Sequence, residues 1–108
     1  MKLERPFSEN DSDSWIESSG FVTRLLHDLC EDAERHQRFV VNLGHGQTVL
    51  VAHNVALAGR VPVGVGDRIR LRGLYQWNDR GGIVHWTHRD PMNIEAGGYI
   101  EFRRKTYR

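Results

Sequence analysis

The alternation of apolar and polar residues along the chain is typical of short β-strands rather than of helices. It is clearest where Phe39, Val41 and Leu43 alternate with Arg38, Val40 and Asn42 just before the turn sequence at residues 44–46. The same period of two recurs in other segments bounded by glycine or by polar residues. The predicted strands span residues 20–28, 36–43, 48–55, 67–77 and 83–88, and a sixth short strand or a covering segment spans residues 97–102.

The order of the five longer segments matches an OB-fold, a five-stranded Greek-key barrel. A connector over residues 56–65, interrupted by glycine and proline, has room for no more than about one helical turn. In this fold the third strand lies parallel to the fifth, the second is antiparallel to the third, and the fourth is antiparallel to the fifth. We therefore predict a mainly β structure, a single five- to six-stranded OB-like barrel over residues 20–108 with little helix, preceded by a polar N-terminal arm over residues 1–19.

Composition limits the class of protein. The 108 residues, of which 39% are hydrophobic, are enough for one domain with a modest core. No apolar run is long enough to cross a membrane, and the first residues lack the apolar core of a signal peptide, so we expect a cytoplasmic protein without a membrane partner. Cys30 is the one cysteine, which excludes an internal disulfide and a cysteine-rich zinc site.

Charge is distributed unevenly, although the net charge is only +1. Residues 61–108 carry nine lysines and arginines against five acidic residues, whereas the charged residues among residues 1–20 are mainly acidic. Clustered basic residues can attract phosphate, and they also make an ordinary solvated face.

The predicted topology brings polar residues from distant segments to one end of the barrel. His53 and Asn54 end the third strand, at the same barrel end as residues 85–90 of the fifth, and the second strand begins there with residues 36–38. We expect a polar rim at this end. Its candidate ligand-binding residues are His36, Arg38, Asn54, Arg60, Trp86, Thr87, Arg89 and Asp90.

Histidines are the candidate catalytic groups in this rim, namely His53, His85 and His88. Side chains on neighbouring strands come within about 5 Å when they share a face, and two histidines can then act as acid and base on a phosphodiester without a metal. Strand alternation places His85 with Thr87 and, on the other face, His88 with Trp86, so the two histidines cannot bind one metal ion. We predict no metal and no cofactor, and the alternative is a mixed metal site formed by His53, one of His85 or His88, and Asp90. A further alternative is that the histidines are buried and hydrogen bonded for structural reasons.

Aromatic side chains are candidates for stacking on a base. Tyr75 and Trp77 share the phase of Ile69 and Leu71, which favours a place in the core for both. Trp86 is the better candidate for stacking on a ligand.

Several short motifs point to a known family. They are HQRF at residues 36–39, HN at residues 53–54, GLYQWN at residues 73–78 and HWTHRDP at residues 85–91. Over about residues 20–108 the chain resembles the bacterial family called domain of unknown function 3465. The resemblance implies a small β-barrel.

Three functions are compatible with these patterns. The first is a module that binds a nucleotide, a cyclic or short oligonucleotide, or another phosphate ligand at the barrel end, and we favour it because small OB-like barrels bind more often than they catalyse. The second is a metal-independent phosphodiesterase that uses the paired histidines on a nucleotide substrate. The third is a protein-interaction module. An exposed edge strand would also allow a homo-oligomer.

Overall fold

Most of the chain forms β-strands whose inward side chains are apolar. The computed structural model describes residues 5–108. The strands are β1 (Ser14–Leu25), β2 (Leu29–Glu31), β3 (Glu34–Gly44), β4 (Gln47–Asn54), β5 (Arg68–Gln76), β6 (Ile83–His85), β7 (Tyr99–Phe102) and β8 (Lys105–Tyr107). A 3-10 turn (Glu9–Asp11) precedes β1, and a short helix α1 (Val55–Ala58) follows β4. No helix in the described range is long and apolar enough to span a bilayer.

Five of these strands close into a barrel. The strand order is β1-β3-β4-β6-β5, and β5 pairs again with β1. β4 and β6 are parallel, with Leu50 opposite Ile83, whereas β3 with β4 and β5 with β6 are antiparallel. The mainly β fold and the three pairings expected of an OB-like barrel are therefore confirmed. β2 is added to β3, and β7 and β8 extend the sheet from β5.

The core contains the inward positions of these strands. Phe39, Val51, Leu71 and Ile100 have no exposed surface. Tyr75 is also fully buried, and its hydroxyl donates to the carbonyl of Gly81 at 2.8 Å, which satisfies the buried polar group.

The prediction of a core position was right for Tyr75 and wrong for Trp77. Trp77 follows the last residue of β5 and is 37% exposed. The strand ends too early for the alternation to continue through it.

The first strand begins earlier than the pattern predicted. β1 starts at Ser14, so residues 14–19, which we expected in the polar arm, belong to the barrel. Their inward positions include Ser18 in addition to Ile16, and a buried serine conceals the apolar period. Part of the remaining arm also packs, because the ring of Phe7 lies 4.4 Å from that of Tyr75. Residues 1–4 of the predicted arm lie outside the described residues.

Two hairpins appear where loops or a tail were expected. β2 and β3 are joined through Asp32 and Ala33, and β7 and β8 through Arg103 and Arg104, with all four residues in the left-handed region. Two consecutive left-handed residues are typical of the tight turns whose twist suits a β-hairpin. Such turns usually contain glycine or asparagine, and the absence of these residues made both hairpins hard to recognise.

Gly82 offers a direct test of packing at the turn before β6. It has a φ of 100°, and a Cβ atom built on it would lie 2.5 Å from the buried ring of Tyr75. Gly66 has a similar φ of 94° with nothing within 4 Å of a Cβ atom. We expect Gly66→Ala to lower the free energy of unfolding by about 1–2 kcal/mol through backbone strain alone, and Gly82→Ala by at least about 1 kcal/mol more through overpacking.

Urea unfolding of both variants provides the measurement. Equal losses of stability would show that the turn has room beside Tyr75, contrary to the packing described here.

Candidate functional site

A groove of about 580 Å³ crosses the outer face of β3, β4 and β6. Its floor is apolar, formed by Leu50, Ala52 and Ile83, and His36 and His85 stand beside it. A further section of about 300 Å³ shares Ala52 and both histidines with the first, so the two are continuous. We call the whole depression the outer-face groove. Its second section is also lined by Glu34, Asn54, Leu57, Trp86, His88 and Pro91.

Strand alternation explains which side chains reach this groove. On β3, His36 and Arg38 point outward, whereas Gln37 and Phe39 are buried. Alternate residues of β3 therefore line the groove, and the intervening residues belong to the interior of the barrel.

His53 belongs to the inward set. It is fully buried; its Nε2 lies 2.8 Å from the carbonyl of Gly59 and its Nδ1 lies 2.6 Å from the hydroxyl of Thr87. A carbonyl only accepts, so Nε2 carries the proton and Thr87 donates to Nδ1. Burial lowers the pKa of His53 to about 4, against the opposing effect of the Gly59 hydrogen bond. His53 is thus a neutral structural residue outside the groove, as is Thr87.

Trp86 marks a sharp change in the backbone directly after β6. Its φ is 56°, an uncommon conformation for a bulky residue, and its indole is 40% exposed. We predicted that the fifth strand continues to His88, with Thr87 beside His85 and His88 beside Trp86. The strand instead ends at His85, and the turn at Trp86 ends the alternation, so Thr87 is buried and not beside His85 on the outer face. His88 does lie beside Trp86, although it is also buried.

His85 and His88 differ in how their ring nitrogens are used. The Nδ1 of His88 donates to the carbonyl of Arg89 at 2.7 Å, and the His88 ring stacks on Trp86 with centroids 5.9 Å apart. The Nε2 of His85 is buried and has no hydrogen-bond partner in residues 5–108. Burial lowers the pKa of His85, and the nearby His36 lowers it further. His85 therefore lines the groove, while its unsatisfied Nε2 is itself covered from solvent.

The predicted arginines do not form one phosphate clamp. Arg60 pairs with Asp28, on the segment before β2. The Nε of Arg38 donates to the carbonyl of His27 at 3.0 Å, although Arg38 still lines the groove. Arg89 is exposed and lines neither groove section.

The side chains of Asn54 and Asp90 mainly accept hydrogen bonds from backbone N–H groups. The side-chain oxygen of Asn54 caps α1 by accepting from two of its N–H groups. The carboxylate of Asp90 accepts from the N–H groups of Met92, Ile94 and Glu95, and these bonds lower its pKa. Asp90 thus orders the loop that follows the HWTH motif.

Sequence reasoning missed the acidic wall of the groove. Glu31, Asp32 and Glu34 from the β2–β3 hairpin line one side of it. They lie between the first two predicted strands, where the sequence pattern predicted no strand, and the β2–β3 pairing places them over β3. No group of three metal-ligating side chains occurs in the part of the chain that the structure describes.

The fold and the groove define a small closed β-barrel protein with a ligand-sized depression on its outer face. The family model described as protein of unknown function (DUF3465) matches residues 1–108, and the chain belongs to this family. Comparison with curated proteins and with solved structures gave no match.

The buried state of His53 predicts an acid-dependent loss of stability. The pKa of His53 falls from 6.5 to about 4 on folding, so between these pH values His53 binds a proton in the unfolded chain but not in the folded one. This contribution to stability is intact above about pH 6.5 and is lost as the pH falls toward 4, by about 3 kcal/mol. His53→Gln should reduce this dependence, and the control His27→Gln, at an exposed position, should not.

Urea unfolding across this pH range measures the effect. If wild type and His53→Gln lose the same free energy of unfolding, His53 is not held neutral by the fold.

Proposed function

We propose that the outer-face groove binds the base of a nucleotide or short oligonucleotide. The observation that carries this proposal is an apolar floor flanked by His36 and His85 and bordered by the exposed indole of Trp86. The groove lies on the second and third barrel strands, the face on which OB-folds bind oligonucleotides. Its apolar lining suits the face of a planar ring.

Trp86 provides a stacking surface at the edge of the groove. It contacts the ring of Trp15, at 6.3 Å between centroids in an edge-to-face arrangement, and the ring of His88, which stacks on it at 5.9 Å. Backbone strain of this kind persists at binding sites where the surrounding structure enforces it. Here it keeps a large aromatic side chain at the surface. Stacking of a base on such a ring is worth about 1–3 kcal/mol.

The unsatisfied Nε2 of His85 is covered from solvent, so the His85 side chain would have to move for this atom to meet a polar ligand edge. A buried nitrogen without a partner costs about 1–3 kcal/mol, and a ligand that supplies the missing hydrogen bond recovers this energy. The edge of a base carries both donors and acceptors, so it can pair with either tautomer of His85.

Charge within the groove determines how a nucleotide would lie. The carboxylates of Glu31, Asp32 and Glu34 attract amino groups of a base and repel phosphate. We therefore revise the expectation of a phosphate clamp at the barrel end. The base occupies the groove, and the phosphate leaves it on the side away from the β2–β3 hairpin.

The phosphodiesterase hypothesis loses its proposed pair of histidines, because His53 does not reach the groove. Of the three catalytic candidates, His85 lines both sections of the groove, with His36 beside it, but its free Nε2 is covered from solvent. Binding is thus the better supported function. The protein-interaction module remains a hypothesis that the experiment below also tests.

Trp86 and Trp77 form a matched pair for this test, since they are 40% and 37% exposed and only Trp86 lines the groove. Titration calorimetry with mononucleotides and trinucleotides should show binding that Trp86→Ala weakens by about 5- to 150-fold. Trp77→Ala should leave the affinity unchanged.

Three outcomes would contradict the proposal. Absence of binding to wild type would leave the interaction module as the better hypothesis, and equal losses in both tryptophan variants would place the site elsewhere. Cleavage of the trinucleotide that persists in EDTA and disappears in His85→Ala would identify the protein as the phosphodiesterase.

A further inference from the structure

Three arginines lie in a row on the outer face of β5. Arg68, Arg70 and Arg72 alternate with the buried Ile69 and Leu71. Alternate residues of a strand are about 6.6 Å apart, so the row presents positive charge at regular intervals. We call these three residues the arginine row.

Each guanidinium of the arginine row lies against an aromatic ring. The centroid distances are 5.9 Å from Arg68 to Phe21, 5.8 Å from Arg70 to Tyr99 and 4.6 Å from Arg72 to Trp15. Contact with a ring orients a guanidinium. Some N–H groups of the row donate within the protein, from Arg70 to the Tyr99 hydroxyl at 3.1 Å and to Glu17 at 3.3 Å, and from Arg68 to the Ser19 hydroxyl at 3.4 Å. A guanidinium has five N–H donors, so others remain for an anion. The row is thereby prepared for phosphate, whose geometry the fork of an arginine fits.

The arginine row continues directly into the outer-face groove. The next outward positions of β5 are Leu74, which pairs with both Trp15 and His85, and Gln76, which lines the groove. Trp15 joins the two features, because it lies under Arg72 and against Trp86. A chain that leaves the groove past Trp86 therefore meets Arg72 first.

Acidic residues near the arginine row reduce its charge without cancelling it. Glu17 approaches Arg70 at 3.3 Å in an exposed pair, and Glu101 lies opposite Arg70 on β7. Exposed pairs of this kind contribute little, so phosphate can compete for the arginine. Arg103 adds a further positive charge beside Arg68 and Arg70.

We propose that the arginine row binds the backbone of a single-stranded nucleic acid whose terminal base occupies the outer-face groove. The ligand would then be an oligonucleotide of several residues rather than a mononucleotide. A single strand is required because its bases must be free to turn away from the backbone and enter a groove. This inference rests on the proposed function of the groove.

The experiment compares a trinucleotide with a dodecanucleotide of the same base. Wild type should bind the longer strand more tightly, with a steeper dependence on salt. In Arg68→Ala/Arg70→Ala the affinity for the longer strand should fall toward that for the trinucleotide, and the slope of log K against log salt should become shallower by about 1.4, since each phosphate contact to a single strand contributes about 0.7. Trinucleotide binding should stay unchanged.

Arg104→Ala/Arg108→Ala removes the same charge from exposed positions outside the arginine row and is the control. Three results would contradict backbone binding by the arginine row without contradicting base binding in the groove. They are an equal loss of affinity in the control, a matching loss of affinity for the trinucleotide, and equal affinity of wild type for the two lengths. Equally tight binding of polyglutamate would replace nucleic acid by an acidic protein as the partner. The long strand could also bind in a way that depends on the arginine row but not on Trp86. This result would support the row as a backbone site and contradict the placement of the terminal base in the outer-face groove. Binding of neither strand would overturn both.

Discussion

The hydrogen bond from the Thr87 hydroxyl to Nδ1 of His53, at 2.6 Å, fixes the point at which the chain leaves the barrel after β6. Both groups have no exposed surface, so neither can be released without leaving a buried polar group unsatisfied. With Thr87 held inside, the backbone turns at Trp86 and keeps that indole at the surface. Within the HWTH motif, Thr87 thus anchors the turn, and the exposed Trp86 borders the groove.

Charge and shape vary together across the outer face. The β2–β3 hairpin brings carboxylates to one end of the groove, and β5 carries the arginine row beyond the other end. Trp86 and Trp15 lie between them. In the complex that we propose, the base and the phosphates of one ligand would have separate surroundings on this face, and the bound strand would have a direction.

Much of the fold could be predicted from the sequence, because apolar residues alternate regularly in β3, β4 and β5, and few barrels accommodate that order of strands. The start of β1 was missed because Ser18 occupies an inward position. The predicted rim residues lie on or next to the strands that line the groove, but His53 points into the barrel. Its phase with Val49 and Val51 already places it inside, so that signal was present in the sequence. The turn at Trp86 was not predictable from alternation, since it depends on a contact with a distant strand.

Photo-crosslinking tests the central claim most directly. A trinucleotide that carries 5-iodouridine at one end would be irradiated with the full-length protein, and the modified peptide identified by mass spectrometry. A base in the outer-face groove predicts crosslinking at Trp86 or at His85. Crosslinks confined to residues away from β3, β4 and β6, or the absence of any crosslink at concentrations that saturate binding, would contradict the groove as the site of the base.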